Sequence, residues 1–568
     1  MPVANHSSRQ PLQDPMRPPG YSRVVPVLFW LIVAVQAALP WCFQYFPSCD
    51  GISHVHNAEQ LWRMLQGDVQ LHEYFTLNPL PESNWFGHLL LMLLVRLTSP
   101  EIGEKLLLTG YFVLFPLSVR YALRCLRPAA PALPLSWLVL PLSYNWMLHN
   151  GFYFNLYSLP VLFLTLGWWW RRRELPGLAT GLGLAGLFLL LYFTHVVTLF
   201  IAGVTMFSVL AWESRPQPEA RTQSPRNAWL TFLLALVPAL ALCLWVQTGR
   251  LGFAAWGDPE VSLTKKLFSL GTLYFGLVSF DKRELAFSTM VALGIWGLTA
   301  YNLALRRRRN ALGGQDGWLA AALGATLLFL AAPESLAHGW YLVHRLSIYP
   351  FLLLILWLGT QPPGPRQRKA IMLICALLAL AQLAFYATRY RQLQSYLTEY
   401  VELGDQIAPN STVLALGVSN RGHAPDGRPL SIRTKPFEFG ASRIGLAHQC
   451  IVLNDYQAHI GYFPLTYRAD HDPFTHIGNV LMEPPRFDKG GPLTYALRTG
   501  GQVDYVILWR DRTDKMTTAQ QTDLFDPLTE GYDFVTSSTP HAYGRLYRRK
   551  GLSAALPPSP QTAQNPRK

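Results

Sequence analysis

The chain has 568 residues, half of them hydrophobic and only 14 % charged, with 18 tryptophans; a soluble protein of this size would need more polar residues to cover its surface. The formal charge of +14 sits in short arginine clusters at the ends of apolar runs. That placement orients a chain in a membrane and argues against nucleic acid as a partner. The six cysteines form no CxxC pair and no zinc spacing.

In chain order, a polar tail, residues 1–24, precedes the first apolar run and is expected to be cytoplasmic. No small-residue cleavage site follows that run closely, so it reads as an uncleaved signal anchor. Runs near the roughly 20 residues that a membrane-crossing helix needs lie at 25–46, 105–123, 131–146, 154–170, 176–193, 195–212, 228–247, 287–305, 317–333, 345–360 and 369–388. They predict a transmembrane domain over 25–388 with about eleven helices and a long outer loop, 47–104. Within that loop "WFGHLLLMLLVRL", Trp85 to Leu97, is too short to span and suits an interfacial helix.

Basic residues then fall at every inner turn: Arg9, Arg17 and Arg23; Arg120, Arg124 and Arg127; Arg171 to Arg173; Arg215, Arg221 and Arg226; Arg306 to Arg309; and Arg366, Arg368 and Lys369. Counting 85–97 as a span would break this pattern. Of the 15 histidines all but His6 fall on the outer side, which marks that side as the working face; longer outer loops alone would also enrich it in histidine. Residues 389–550 read as a small extracytoplasmic α/β domain. "RYRQLQSYLTEYVELGDQ" begins it as an amphipathic helix, and "STVLAL", "QCIVLND" and "VDYVILW" are strand-like. Residues 551–568 are Pro-rich and read as a disordered tail. There is no P-loop and no GxGxxG between a strand and a helix, which argues against an ATP-driven pump. Cys42 and Cys49 are near enough in sequence to pair, although two independent thiols are the commoner arrangement.

Asp50 follows the first span within a few residues, in "FPSCDGISHVHNAEQLWRML". A carboxylate against a low-dielectric surface has its pKa raised toward the range useful to a general base. His54 and Glu59 stand where they could orient it or line a pocket, with Glu59 and Arg63 at ion-pair spacing on a helix. Two histidines at 54 and 56 leave a divalent cation open, since both would face one way on a strand, but no third ligand is fixed. Arg345, in "HGWYLVHRLSIYPF", is a guanidinium at the outer start of a span and suits a phosphate; snorkelling to headgroups is the plainer role. His338 and His344 flank it. His195 sits at a tight junction between two apolar runs, and His149 lies in "YNWMLHNGFYFN", whose amides and aromatics suit a sugar. Lys265, Lys266, Lys282 and Arg283 form a basic outer loop, most simply solvated charge.

The long first outer loop with an early acid, the interfacial helix, the many spans and the outer C-terminal domain together resemble the integral-membrane glycosyltransferases of the GT-C superfamily. The resemblance is in layout over the whole chain and in residues around Asp50 to Gly67 and His338 to Leu354. It implies transfer of a hexose or pentose from a polyprenyl-phosphate carrier to a glycan, lipid or protein acceptor outside a bacterial inner membrane. For such a transfer, the residues singled out above give Asp50, His54 and Glu59 as the expected catalytic residues, and Arg345, His195, His149, His338 and His344 as the expected substrate-binding residues. In some branches the resemblance also implies a divalent cation. No DxD and no WWDxG-like motif is present, so asparagine-directed oligosaccharide transfer is not expected. A transporter or flippase of lipid-linked glycans, or a non-catalytic membrane scaffold, are the alternatives. The first would need polar groups midway along several spans.

Overall fold

The computed structural model describes residues 24–128, 133–175, 177–215, 225–248, 260–308, 313–336, 339–361, 363–511 and 515–552. His338 and the two terminal tails lie outside them. The protein is an α-helical polytopic membrane protein with a small C-terminal α/β domain. Among the described residues, seven helical stretches are long and apolar enough to cross a membrane, including Pro100–Leu126, Val196–Glu213, Glu284–Arg308 and Pro365–Gln406. Tyr153–Arg172 is as long, but it carries Asn155, Ser158 and Thr165 and is buried along almost its whole length. Such a helix needs no continuous apolar face because its neighbours, not lipid, surround it. Leu178–Thr194, which packs beside it, and Gly317–Ala331, which packs on Val196–Glu213, are shorter.

Ten of the eleven anticipated spans are α-helical, and one differs. Residues 131–146 were expected as a helix, yet Leu133–Val139 is a 3₁₀ helix followed by a single α turn, Leu140–Ser143. Pro134 and Pro141 each remove a backbone donor that an α-helix would need. Every residue from Pro134 to Ser143 is buried, which is the condition under which irregular backbone is tolerated at membrane depth.

Polar contacts divide the bundle into two faces. On one, Arg127 donates to the Thr360 carbonyl at 2.7 Å, Arg173 lies 3.7 Å from Glu213, Trp212 Nε1 donates to Gly313, and Arg306 pairs with Asp316. On the other, His149 meets Ser279, Lys266 donates to Ala332 and Arg345 to His195. No contact in this set joins a turn expected inside to one expected outside. In the basic outer loop Lys266 Nζ caps the carbonyls of Leu330 and Ala332 at a helix C-terminus, Arg283 binds Asp281, and Lys265 and Lys282 are exposed.

Pro365–Val401 is one helix of 37 residues, about 55 Å at 1.5 Å per residue. It carries the last span without a break into the C-terminal domain, so the amphipathic segment after Arg389 is a continuation and not a separate element. The strands are β1 (Phe75–Leu77), β2 (Thr412–Gly417), β3 (Ile451–Val452), β4 (Leu465–Tyr467), β5 (Tyr505–Trp509), β6 (Tyr532–Ser537) and β7 (Gly544–Arg549). Five form a sheet of order β3-β2-β5-β7-β6, parallel through the first three and antiparallel after. Fully buried β2 and β5 are the continuous apolar runs expected of central parallel strands. The remaining pair, β1 with β4, stitches the first outer loop to the C-terminal domain, so elements nearly 400 residues apart present one surface.

Candidate active site

Asp50 stands at the N-cap position of helix Gly51–Leu65, with no side-chain bond to the helix. Its backbone is fixed from beneath: Asp50 N donates to Asn150 O at 3.0 Å, and Cys49 N to His149 O at 3.1 Å. The approach is so close that a Cβ on Gly151, whose φ is +78°, would lie 2.1 Å from Gly51 N; only glycine serves there. The carboxylate is nearly fully buried and accepts a 2.6 Å hydrogen bond from Tyr456 Oη, 406 positions away. Burial raises its pKa to about 6; the Tyr456 bond opposes this, neighbouring Glu438 adds to it, and Cys49 and Arg345 lower it. Glu438 is held by Lys435 at 2.8 Å and accepts from Cys49 Sγ. Cys49 and Cys42 are free thiols, not a pair.

Arg345, in the short helix Leu342–Leu346, lies within electrostatic reach of Asp50, Tyr456 and Tyr462. Its guanidinium stacks 3.8 Å from the Phe152 ring centroid and donates from Nη1 to His195 Nε2 at 2.7 Å. Because arginine only donates, Nε2 must accept, which places the ring proton on His195 Nδ1. That Nδ1 and Arg345 Nε are buried without a protein partner. Two directed donors beside a buried carboxylate form a place where an anion could sit. His195 is held there by the break between helices Leu178–Thr194 and Val196–Glu213, where its backbone is extended.

The other expected residues divide. His54 lies one turn beyond Asp50, buried against Phe154, His88 and Phe463, and burial holds its pKa well below the ordinary histidine range. Glu59 is not at the site. It stands nine residues along the helix from Asp50, about 13 Å, facing Arg63 and Arg96, and Arg63 pairs with Asp68 at 2.6 Å instead of forming the expected bridge to Glu59. His149 is fully buried with both ring nitrogens bonded, to Ser279 and Tyr390; it supports the turn under Asp50 and has nothing left for a ligand. His344 lies 2.8 Å from Glu334 and packs on Trp146 and Phe275. His54 and His56 turn to different sides of a helix, His56 toward Cys450 O, so the two do not suit a shared ion. Among the described residues no three His, Cys, Asp or Glu side chains converge on a metal position. Tyr456, Glu438 and Lys435 were missed, since nothing local in "NDYQAH" or "TKPFEF" signals an acid far upstream.

This arrangement is built on a fold that a solved structure shares. ArnT from Cupriavidus metallidurans, in the apo state, superposes with a TM-score of 0.50 over 92 % of this chain and 98 % of that one, at 8 % identity. The chain has an ArnT-like fold. The polytopic helical architecture with a C-terminal α/β domain, anticipated from the layout of the chain, is the architecture present. Neither a protein-family profile nor a characterised protein sequence matches the chain. At this identity the ArnT-like fold says nothing of individual residues, and their roles rest on geometry.

Tyr456→Phe offers a direct test of that geometry. The phenol bond stabilises the carboxylate and so lowers the pKa of Asp50; without it the pKa rises above about 6. If the carboxylate is the active form, the acid limb of the pH–rate profile should move to higher pH, with activity lost at pH 6 and recovered near pH 8. An unmoved limb would show that the bond does not govern the reactive group.

Proposed function

We propose that the protein is a glycosyltransferase that moves a sugar from a polyprenyl-phosphate carrier to an acceptor hydroxyl at the membrane face bearing Asp50. The observation that carries this reading is the pairing of one buried carboxylate, its pKa raised to about 6, with one guanidinium–imidazole pair with unused donors. Asp50 takes the acceptor proton as the new glycosidic C–O bond forms. The bond from the anomeric carbon to the carrier phosphate breaks, and its electron pair leaves with the phosphate. Arg345 and His195 donate to that oxyanion as its charge grows, in a site with little competing water. No step needs a metal, and a divalent cation with the phosphate remains compatible with the scheme.

A flippase would favour a polar path through the bundle. Polar side chains do lie within the helices, beneath Arg345: Asn155, Ser158, Thr198 and Tyr349. They are bonded to one another at 2.5 to 3.2 Å, so they lock neighbouring helices and leave no open track. The decisive experiment is a deletion strain, which should accumulate a lipid-linked sugar that plasmid-borne wild-type protein clears. No accumulation would remove the donor assignment.

The arginine clusters support the orientation proposed with this function: N-terminus and residues 213–227 in the cytoplasm and residues 400–550 on the far side, with a bacterial inner membrane as the proposed location. Reporter fusions at those two segments should read opposite sides. Both on one side would end this topology.

A further inference from the structure

We infer that Glu438 and Lys435 are positioning residues for the proposed base: a carboxylate–ammonium pair of the C-terminal domain, one thiol away from Asp50, that sets the pH at which transfer begins. This deepens the transferase reading and rests on it. The placement of Glu438 is built from its neighbours. Its turn, just ahead of helix Ala441–His448, is closed by Glu438 N donating to Lys435 O at 3.2 Å. Phe437 stacks on Trp509 of β5 with ring centroids 5.1 Å apart, and Phe439 packs at 5.1 Å on Tyr456, the residue that holds Asp50. Both phenylalanines are buried, so two anchored rings clamp the backbone of the carboxylate between them. That carboxylate meets Cys49, whose Sγ donates to Glu438 Oε2 at 3.2 Å and is also within hydrogen-bonding reach of Asp50.

A second carboxylate at this range makes the first a stronger base, because a like charge disfavours loss of its proton. Burial is the largest cause of the raised pKa of Asp50, the Tyr456 bond opposes it, and the charge of Glu438 adds to it. Cys49 and Arg345 also act on Asp50, so Glu438 is the anion of the set; Tyr341, ahead of Arg345, faces the same group. Beneath the turn, Glu104 accepts from Tyr153 at 2.6 Å and Arg443 donates to Phe46 O at 2.9 Å, so both have partners of their own. Lys435 moderates Glu438. Its Nζ lies 2.8 Å from Glu438 Oε1 and 3.2 Å from Glu483 Oε1. Burial works against the ammonium, but the two carboxylates outweigh it and hold its pKa above the ordinary lysine range. One cation is thus shared between two anions, which leaves Glu438 part of its charge to act on Asp50. An ammonium already balanced in this way is a poor ligand for a carrier phosphate, and its role is distinct from that of Arg345.

The test measures initial rates from about pH 5 to about pH 8.5, with protein in nanodiscs, the lipid extract of the deletion strain as donor and the delipidated envelope of that strain as acceptor. Glu438→Gln keeps the shape and an acceptor for Cys49 but removes the charge. Asp50 then gives up its proton more readily, and the acid limb should move about one pH unit lower. Lys435→Met removes the balancing ammonium, and the limb should move about one pH unit higher. Lys435→Arg keeps the charge and should leave the limb at the wild-type pH. An ion pair that only braced the fold would lower Tm or rate in the first two variants without moving their limbs in opposite directions. Each sign is read on its own, so one of those two variants, if stable, decides. Limbs that stay in place, or that move the same way, overturn the inference and leave the transferase reading intact. No lipid-linked sugar in the deletion strain would overturn both.

Discussion

Asp50→Asn should lower transfer by about 10²-fold or more, the usual contribution of a positioned general base, while the protein remains inserted and folded. The substitution conserves shape, and the Asn carbonyl can still accept from Tyr456, so the turn held by Asn150 and Gly151 has no reason to move. What is lost is the proton acceptor whose pKa lies near 6 because it is buried. Clearance of the accumulated lipid-linked sugar, measured by mass spectrometry of the membranes, is the readout. Near-normal clearance would refute the assignment, and the next acid to test would then be Glu438, which neighbours Asp50, and not Glu59, which does not.

Arg345 separates two roles by a conservative change. If it receives the leaving phosphate, Arg345→Lys should lose most activity, because an ammonium offers a point charge where the site provides a planar fork over Phe152 with one arm already on His195. Loss of that interaction in a site of low dielectric corresponds to roughly 2–4 kcal/mol of transition-state stabilisation, and Arg345→Ala should be nearly inactive. A lysine that merely snorkelled to headgroups would serve as well as arginine. Full activity of the Lys variant would therefore dissolve the phosphate assignment, and with it the reason to assign His195 a role in transfer.

Much of the architecture could be read along the chain because its signals are local. Apolar runs of the right length become helices, arginines mark one face, and the strands at 412–417 and 505–509 announce themselves by composition. The exception at 131–146 was also written locally, in two prolines whose effect is stronger than the hydropathy that surrounds them. Strands β6 and β7 escaped because "YDFVTS" and "GRLYRR" are half polar and gain their hydrogen bonds only from each other and from β5. The site was legible in part for the same reason. An acid just past a span and an arginine at the mouth of another can be found by position, whereas Tyr456 and Glu438 matter only through distance in space. His149 shows the opposite error. Its residue type suggested a ligand contact, but partners at 279 and 390 consume both of its nitrogens.

The 406-residue separation between Asp50 and the phenol that holds it bears on how the protein is made. The first half of the proposed centre is made near the start of translation, and its partner emerges only after the last candidate span and its 37-residue helix have been laid down. A chain stopped anywhere before residue 456 carries the acid but neither the tyrosine that tunes it nor the strand β4 that pins its loop. Nascent or truncated copies would thus lack the C-terminal half of the proposed site, which is complete only once synthesis has passed β4.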